Sequence, residues 1–144
     1  MLSLLLTLAS INRILAQGGF LESCSIFSLQ SSNDAFNQLF IEVSCAEKCS
    51  QMNIGACVAN IGGKLTAWPN GQFSLQGGCK NCVLYFPLNA TLECECPLND
   101  GTTIAEYSQL DLNETISNAD GTIGCYGFTS IQVSCNSQLR LKGQ

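Results

Sequence analysis

The sequence predicts a nearly all-β protein built from two repeats, with one sheet-plus-hairpin unit per repeat and short helical turns. Three observations lead there. Residues 51–65 align without a gap on residues 109–123: Gln51/Gln109, Asn60/Asn118 and Gly63/Gly121 are identical, and Met52/Leu110, Ile54/Leu112, Val58/Ile116 and Leu65/Ile123 stay apolar. Apolar and polar residues alternate in Ile41-Glu42-Val43-Ser44 and in Leu110-Asp111-Leu112-Asn113, and no stretch sustains the period of a long helix. Finally, ten cysteines in 144 residues are an even number in a short chain, the arithmetic of a disulfide framework.

Residues 1–17 carry the apolar run Leu2-Ser3-Leu4-Leu5-Leu6-Thr7-Leu8-Ala9, too short to span a bilayer but long enough for a signal-peptide core, with cleavage expected after Ala16. No basic segment precedes the run, and Arg13 stands near the cleavage point. All ten cysteines follow residue 17, and such density belongs to an oxidising compartment, so the expected location is extracellular. Repeat one covers about residues 18–70. Phe20 precedes Cys24, the run Phe40-Ile41-Glu42-Val43-Ser44 ends at Cys45 as a strand, and residues 31–37 form a short helix or a loop between strands. Asn60-Ile61-Gly62-Gly63 is a turn before Lys64-Leu65.

Repeat two covers about residues 71–126. Phe73 precedes Cys79, and Thr91-Leu92-Glu93-Cys94-Glu95 is a strand ending at Cys96. Glu114-Thr115-Ile116-Ser117 suits one helical turn, and Asn118-Ala119-Asp120-Gly121 is a hairpin signal before Thr122-Ile123. Residues 127–144 are a C-terminal extension without a counterpart in repeat one. Within it Thr129–Cys135 alternates like an added edge strand held by Cys135. Together, residues 18–126 form the expected domain.

The spacing suggests Cys24–Cys45 and Cys79–Cys96 as strand-to-strand bonds, each closing a loop worth roughly 3 kcal/mol on the chain-entropy model. Facing residues of an antiparallel pair keep a nearly constant index sum. Cys82/Cys94 differs from Cys79/Cys96 by only one, so Cys82–Cys94 fits nearly the same register. A bond from Cys57 to Cys82 competes with it and would leave Cys94 for Cys125. Cys79-Lys80-Asn81-Cys82 has redox spacing but no βαβ context, and one such pair is half of a zinc site.

Composition narrows function further. Six Lys and Arg are scattered and the net charge is −5, so no basic stripe exists for nucleic acid. No later stretch is apolar enough to span a membrane. There is no His, which removes Ser-His-Asp and Cys-His nucleophile systems and His-bearing metal sites. Glu93 and Glu95 alternate with core positions and read as solvated strand residues, not a glycosidase pair. No enzyme, cofactor or metal is expected. Asn89-Ala90-Thr91 and Asn113-Glu114-Thr115 are N-glycosylation sequons, which in a secreted protein mark exposed positions.

Gly18-Gly19-Phe20-x3-Cys24, the strand ending at Cys45, Leu110-Asp111-Leu112-Asn113 and Ser117-Asn118-Ala119-Asp120-Gly121-Thr122-Ile123 together resemble the cyanovirin-N homology (CVNH) domain family, particularly its secreted, cysteine-rich fungal members. The first repeat departs from the pattern: Asn53 stands where Asp is usual, Gly55 where Asn is usual, and Gly62 where Asp or Asn is usual. Trp68 comes one residue late. The resemblance implies two pseudo-symmetric halves, each a three-stranded antiparallel sheet plus a β-hairpin exchanged from the other repeat. It implies lectin activity toward oligomannose-type glycans, and a monomer or domain-swapped dimer. In half A (the start of repeat one plus the hairpin of repeat two) the implied site is Gly19, Glu22, Ser23, Ala46, Lys48, Asn118, Ala119 and Asp120. In half B it is Ala59, Asn60, Gly62, Ser74 and Gln76, with Pro97, Leu98, Asn99 and Asp100 beyond Cys96. Having lost its acidic positions, half B is expected to be impaired or differently specific. Sugar hydroxyls need closely spaced donors and acceptors, which Asn118-Ala119-Asp120-Gly121 supplies; the same residues also suffice simply to build the hairpin. The alternative is a secreted structural or effector-like interaction protein that keeps the scaffold without sugar binding.

Overall fold

Alternation along the chain becomes twelve strands in the computed structural model, which describes residues 18–32, 38–99 and 104–135. The signal segment, most of the helix-or-loop stretch 31–37, Asp100 and the chain beyond Cys135 lie outside the described residues. The strands are β1 (Cys24–Ser31), β2 (Leu39–Cys45), β3 (Lys48–Asn53), β4 (Val58–Ile61), β5 (Lys64–Ala67), β6 (Lys80–Tyr85), β7 (Thr91–Pro97), β8 (Ile104–Asp111), β9 (Ser117–Ala119), β10 (Thr122–Cys125), β11 (Phe128–Thr129) and β12 (Ile131–Val133). Single 3-10 turns at Phe20–Glu22, Ile54–Ala56 and Leu112–Glu114 are the helical elements among the described residues.

Antiparallel pairing gives a sheet in the order β1-β2-β3-β12, a second sheet β6-β7-β8, and the hairpins β4-β5 and β9-β10, the latter extended by β11. The hairpins are exchanged between repeats, as the resemblance implied. That of repeat one lies on the second sheet, where the Leu65 N–H donates to Ser108 Oγ at 2.8 Å. That of repeat two lies on the first sheet, where Ser50 Oγ donates to the Gly121 carbonyl at 2.9 Å.

The 58-residue repeat is written into the hydrogen bonds. Asn53 Oδ1 accepts from Gly55 N and Asp111 Oδ1 from Asn113 N, each at 2.8 Å, so both 3-10 turns are capped by the same device. The helical turn of repeat two therefore sits at 112–114, not at 114–117: capping by Asp111 ends β8 there and frees Ser117 to start β9. Phe73 N donates to Val58 O at 3.2 Å, and Phe20 N donates to Ile116 O at 3.3 Å. Phe20, Phe73, Ile54, Leu112, Val58 and Ile116 are fully buried, so the apolar pairs that define the repeat form the core. Burying each such side chain contributes roughly 1.5–3 kcal/mol.

All ten cysteines pair: Cys24–Cys45, Cys79–Cys96, Cys82–Cys94, Cys57–Cys125 and Cys49–Cys135. Of the competing pairings this selects Cys82–Cys94. The one-residue slip in its index sum is a bulge between Lys80 and Val83 in the β6–β7 ladder. Cys57 joins Cys125 instead of Cys82, linking the end of the Ile54–Ala56 turn to the end of β10. Cys49–Cys135 anchors the residues after β12, which pairs with β3 at the sheet edge.

Candidate functional site

Two turns face each other at one end of the molecule. In the first, Cys45 and Lys48 pair across a two-residue loop, Ala46-Glu47, with Ala46 at φ 54°. In the second, Ala119 and Thr122 pair across Asp120-Gly121, with φ of 53° and 88°. Two consecutive positive φ values suit Asp-Gly and match the twist of the flanking strands. Asn118 locks the second turn, its Oδ1 accepting from Gly121 N at 2.8 Å, while its Nδ2 donates to Ser23 Oγ at 2.7 Å. Gly121 packs so closely on Lys48 that an added Cβ would lie 2.7 Å from Lys48 Cδ.

Between the turns lies a shallow cleft of about 520 Å³ lined by Ser23, Cys45, Ala46, Glu47, Lys48, Asn118, Asp120 and Gly121. Lys48 Nζ donates to the Asp120 carbonyl at 3.0 Å and sits 3.6 Å from Asp120 Oδ2. The Lys48 side chain is half exposed and that of Asp120 fully exposed, so the ion pair is worth at most about 1 kcal/mol and opens readily. Chemically the cleft offers an ammonium, two carboxylates, a hydroxyl and a side-chain amide over a rigid disulfide-backed floor. That inventory suits a neutral, hydroxyl-rich ligand.

The structure brings Ser23, Lys48, Asn118 and Asp120 together in this cleft. Ala119 is exposed on the same hairpin without lining the cleft, and Glu22 lies in the 3-10 turn with its carboxylate beside Gly19. Asn60 lies in the other half. Its Nδ2 donates to the carbonyls of Gly77 and Pro97, both at 2.8 Å, and its Oδ1 accepts from Gly63 N at 2.9 Å. Gly62 takes the place of Asp120 with a similar φ of 61° and no side chain, and Pro97-Leu98 follow Cys96 where Ala46-Glu47 follow Cys45. Sequence reasoning missed Glu47. The two-residue loop between Cys45 and Lys48 was the available signal, since it throws its second residue toward the opposing turn.

The sequence model described as CVNH domain matches residues 20–124. Among solved structures, the chain is similar to the NMR structure of the Gibberella zeae protein GzCVNH, at 21% identity and a TM-score of 0.52, covering 76% of this chain and 98% of that one. No curated protein matches.

Proposed function

The chain belongs to the CVNH domain family, and from that premise we propose that it is a secreted lectin, without enzymatic activity, that binds oligomannose-type glycans through the cleft at the Asn118–Gly121 turn. CVNH domains are known as a carbohydrate-binding lectin fold, not as an enzyme family. The observation that carries the reading is the convergence of Ser23, Lys48, Asn118 and Asp120 from three separated stretches of chain on one solvent-open cleft. A pyranose hydroxyl pair can accept from Lys48 and donate to Asp120, replacing a weak surface ion pair with two charge-assisted hydrogen bonds. Backbone groups of the turn and Ser23 Oγ supply the remaining partners. Five disulfides, which leave no free thiol, support an oxidising destination, and the neutrality of most sugars fits a site that has no strong field of one sign. The protein acts as a monomer or as a domain-swapped dimer, since each half already consists of a sheet and a hairpin from different repeats.

A second reading has its own support. Cleft groups already satisfy one another, Asn118 bonding Ser23 and Lys48 bonding Asp120, which also suits a scaffold that has stopped binding sugar and presents a surface to a protein. A glycan array separates the two. The oxidised protein is expected to be retained on mannose-terminated glycans. Absence of binding to every glycan, alongside a partner protein captured regardless of added mannose, would favour the scaffold.

A further inference from the structure

The sequon Asn89-Ala90-Thr91 closes the loop between β6 and β7, and the residues just before it form an apolar tip. Leu88 is 97% exposed, and Tyr85 and Phe86 are nearly half exposed. No charged residue stands between Lys80 and Glu93. A charge-free apolar tip of this kind invites association unless something covers it. Leu84, Tyr85, Phe86, Pro87, Leu88 and Asn89 line a small groove there of about 280 Å³. That lies below the volume usual for a free small ligand, roughly 300–1,000 Å³. A group tethered at the rim is a different case, because its effective concentration replaces the affinity that so small a groove lacks.

The two sequons differ in what the fold asks of them. Asn89 is exposed, and its Oδ1 accepts from Thr91 N at 3.4 Å, a local Asx turn inside the sequon. That bond uses the oxygen and glycosylation takes the nitrogen, so the two are compatible. Thr91 pairs with Tyr85 across β6–β7, and the carbonyl of buried Ala90 accepts from Leu112 N at 2.9 Å, which holds the sequon beside the Tyr85 ring. Asn113, by contrast, is built into a tertiary contact. Its Oδ1 accepts from Leu21 N at 2.9 Å, its carbonyl accepts from Gly19 N, and Thr115 is buried. A glycan there would stand in the contact between the Leu112–Glu114 turn and the Phe20–Glu22 turn.

We propose that Asn89 carries an N-linked glycan whose first N-acetylglucosamine packs against Tyr85, Phe86 and Leu88 and covers the apolar tip. In the bond-forming step Asn89 Nδ2 attacks the anomeric carbon of a lipid diphosphate-linked oligosaccharide. The N–C1 bond forms, the C1–O bond to the diphosphate breaks, the lipid diphosphate departs and the amide gives up one proton. The apolar C–H face of the sugar meets the rings, while its hydroxyls stay in water. The Tyr85 ring is held for this contact by its hydroxyl, which donates to Glu93 at 3.2 Å, so little freedom is lost when the sugar packs on it. The inference rests on the secretion part of the proposed function and not on sugar binding by the Asn118 cleft.

The test is expression of the full chain in a eukaryotic secretion host, under its own N-terminal segment and, in parallel, with the host's leader in place of residues 1–17. Peptide mass mapping of the secreted protein, before and after enzymatic removal of N-glycans, is expected to find Asn89 occupied and Asn113 not. An unmodified Asn89 in the secreted protein, or a glycan on Asn113 alone, overturns the inference. Modification of Asn89 only behind the host's leader supports the site and refutes secretion by the chain's own segment. Packing is read by limited chymotrypsin digestion. Cleavage after Leu88 should be at least tenfold faster in Asn89→Gln, and in Thr91→Val, which also removes the sequon, than in the glycosylated protein. Trimming the glycan to its first sugar should keep most of that protection. Equal cleavage of the trimmed protein and the two variants overturns the packing of that sugar on the tip.

Discussion

At the scale of single residues, Asn118 and Asp120 have separable duties. Asn118 makes two hydrogen bonds that hold the turn and join it to Ser23, whereas the Asp120 side chain is fully exposed and pairs with Lys48. Asn118→Ala is expected to lower unfolding free energy by about 1–2 kcal/mol, and Asp120→Asn, which keeps a residue tolerant of positive φ, by less than about 1 kcal/mol, both read by denaturant titration. The two tyrosines of the second sheet give a pH prediction. The hydrogen bond to Glu93, and then its charge, raise the phenol of Tyr85 above its usual 10.0, and Glu95 does the same for Tyr107. The folded state therefore holds these protons more tightly than the unfolded chain. Their contribution to stability is complete below pH 10 and is lost as pH rises through the folded-state values. Ultraviolet titration should show both phenolates forming later than free tyrosine, and Glu93→Gln should bring Tyr85 back down. The sequons also divide here: Asn89 is exposed, while the Asn113 side chain accepts the Leu21 N–H at 2.9 Å and is only partly accessible.

Among the elements, what the sequence disclosed depended on how local the cause was. Alternation and turn chemistry located β2, β7 and both exchanged hairpins, because a strand's period and an Asx-Gly turn are properties of a few adjacent residues. The 3-10 turn lies at Leu112–Glu114, two residues before the position its sequence suggests, since Asp111 fits an alternating strand as well as it fits a cap, and only the Asn113 N–H it binds decides between them. Cys82–Cys94 was one of two pairings open on strand register, whereas Cys57–Cys125 depends on how the Ile54–Ala56 turn packs on β10. β12 is a three-residue edge strand secured next to Cys135. Removing that bond in a Cys49→Ala/Cys135→Ala variant should cost about 2–4 kcal/mol. Hydrogen exchange should quicken first at Ile131–Val133 and leave the β6–β8 amides protected; unchanged protection of β12 would show that its pairing to β3 suffices alone.

Seen whole, the molecule is a symmetric scaffold with unsymmetric ends. Its symmetry is carried by buried residues, whose packing tolerates only apolar exchange between repeats: Ile54 for Leu112, Val58 for Ile116. Its asymmetry is carried by exposed turn residues, where Gly62 for Asp120 and Leu98 for Glu47 cost the fold nothing and change the surface entirely. That is why the repeat and most of the cleft lining were legible from the sequence while Glu47 was not: its place in the cleft is set only when the two turns meet. The central claim is that the Asn118 cleft binds sugar, and calorimetric titration of oligomannose into the wild type, Asn118→Ala and Asp120→Asn tests it most directly. Saturable binding by the wild type is predicted, with at least a tenfold loss in both variants although Asp120→Asn loses less than about 1 kcal/mol of stability. No heat at millimolar sugar, or equal affinity in all three proteins, would contradict it.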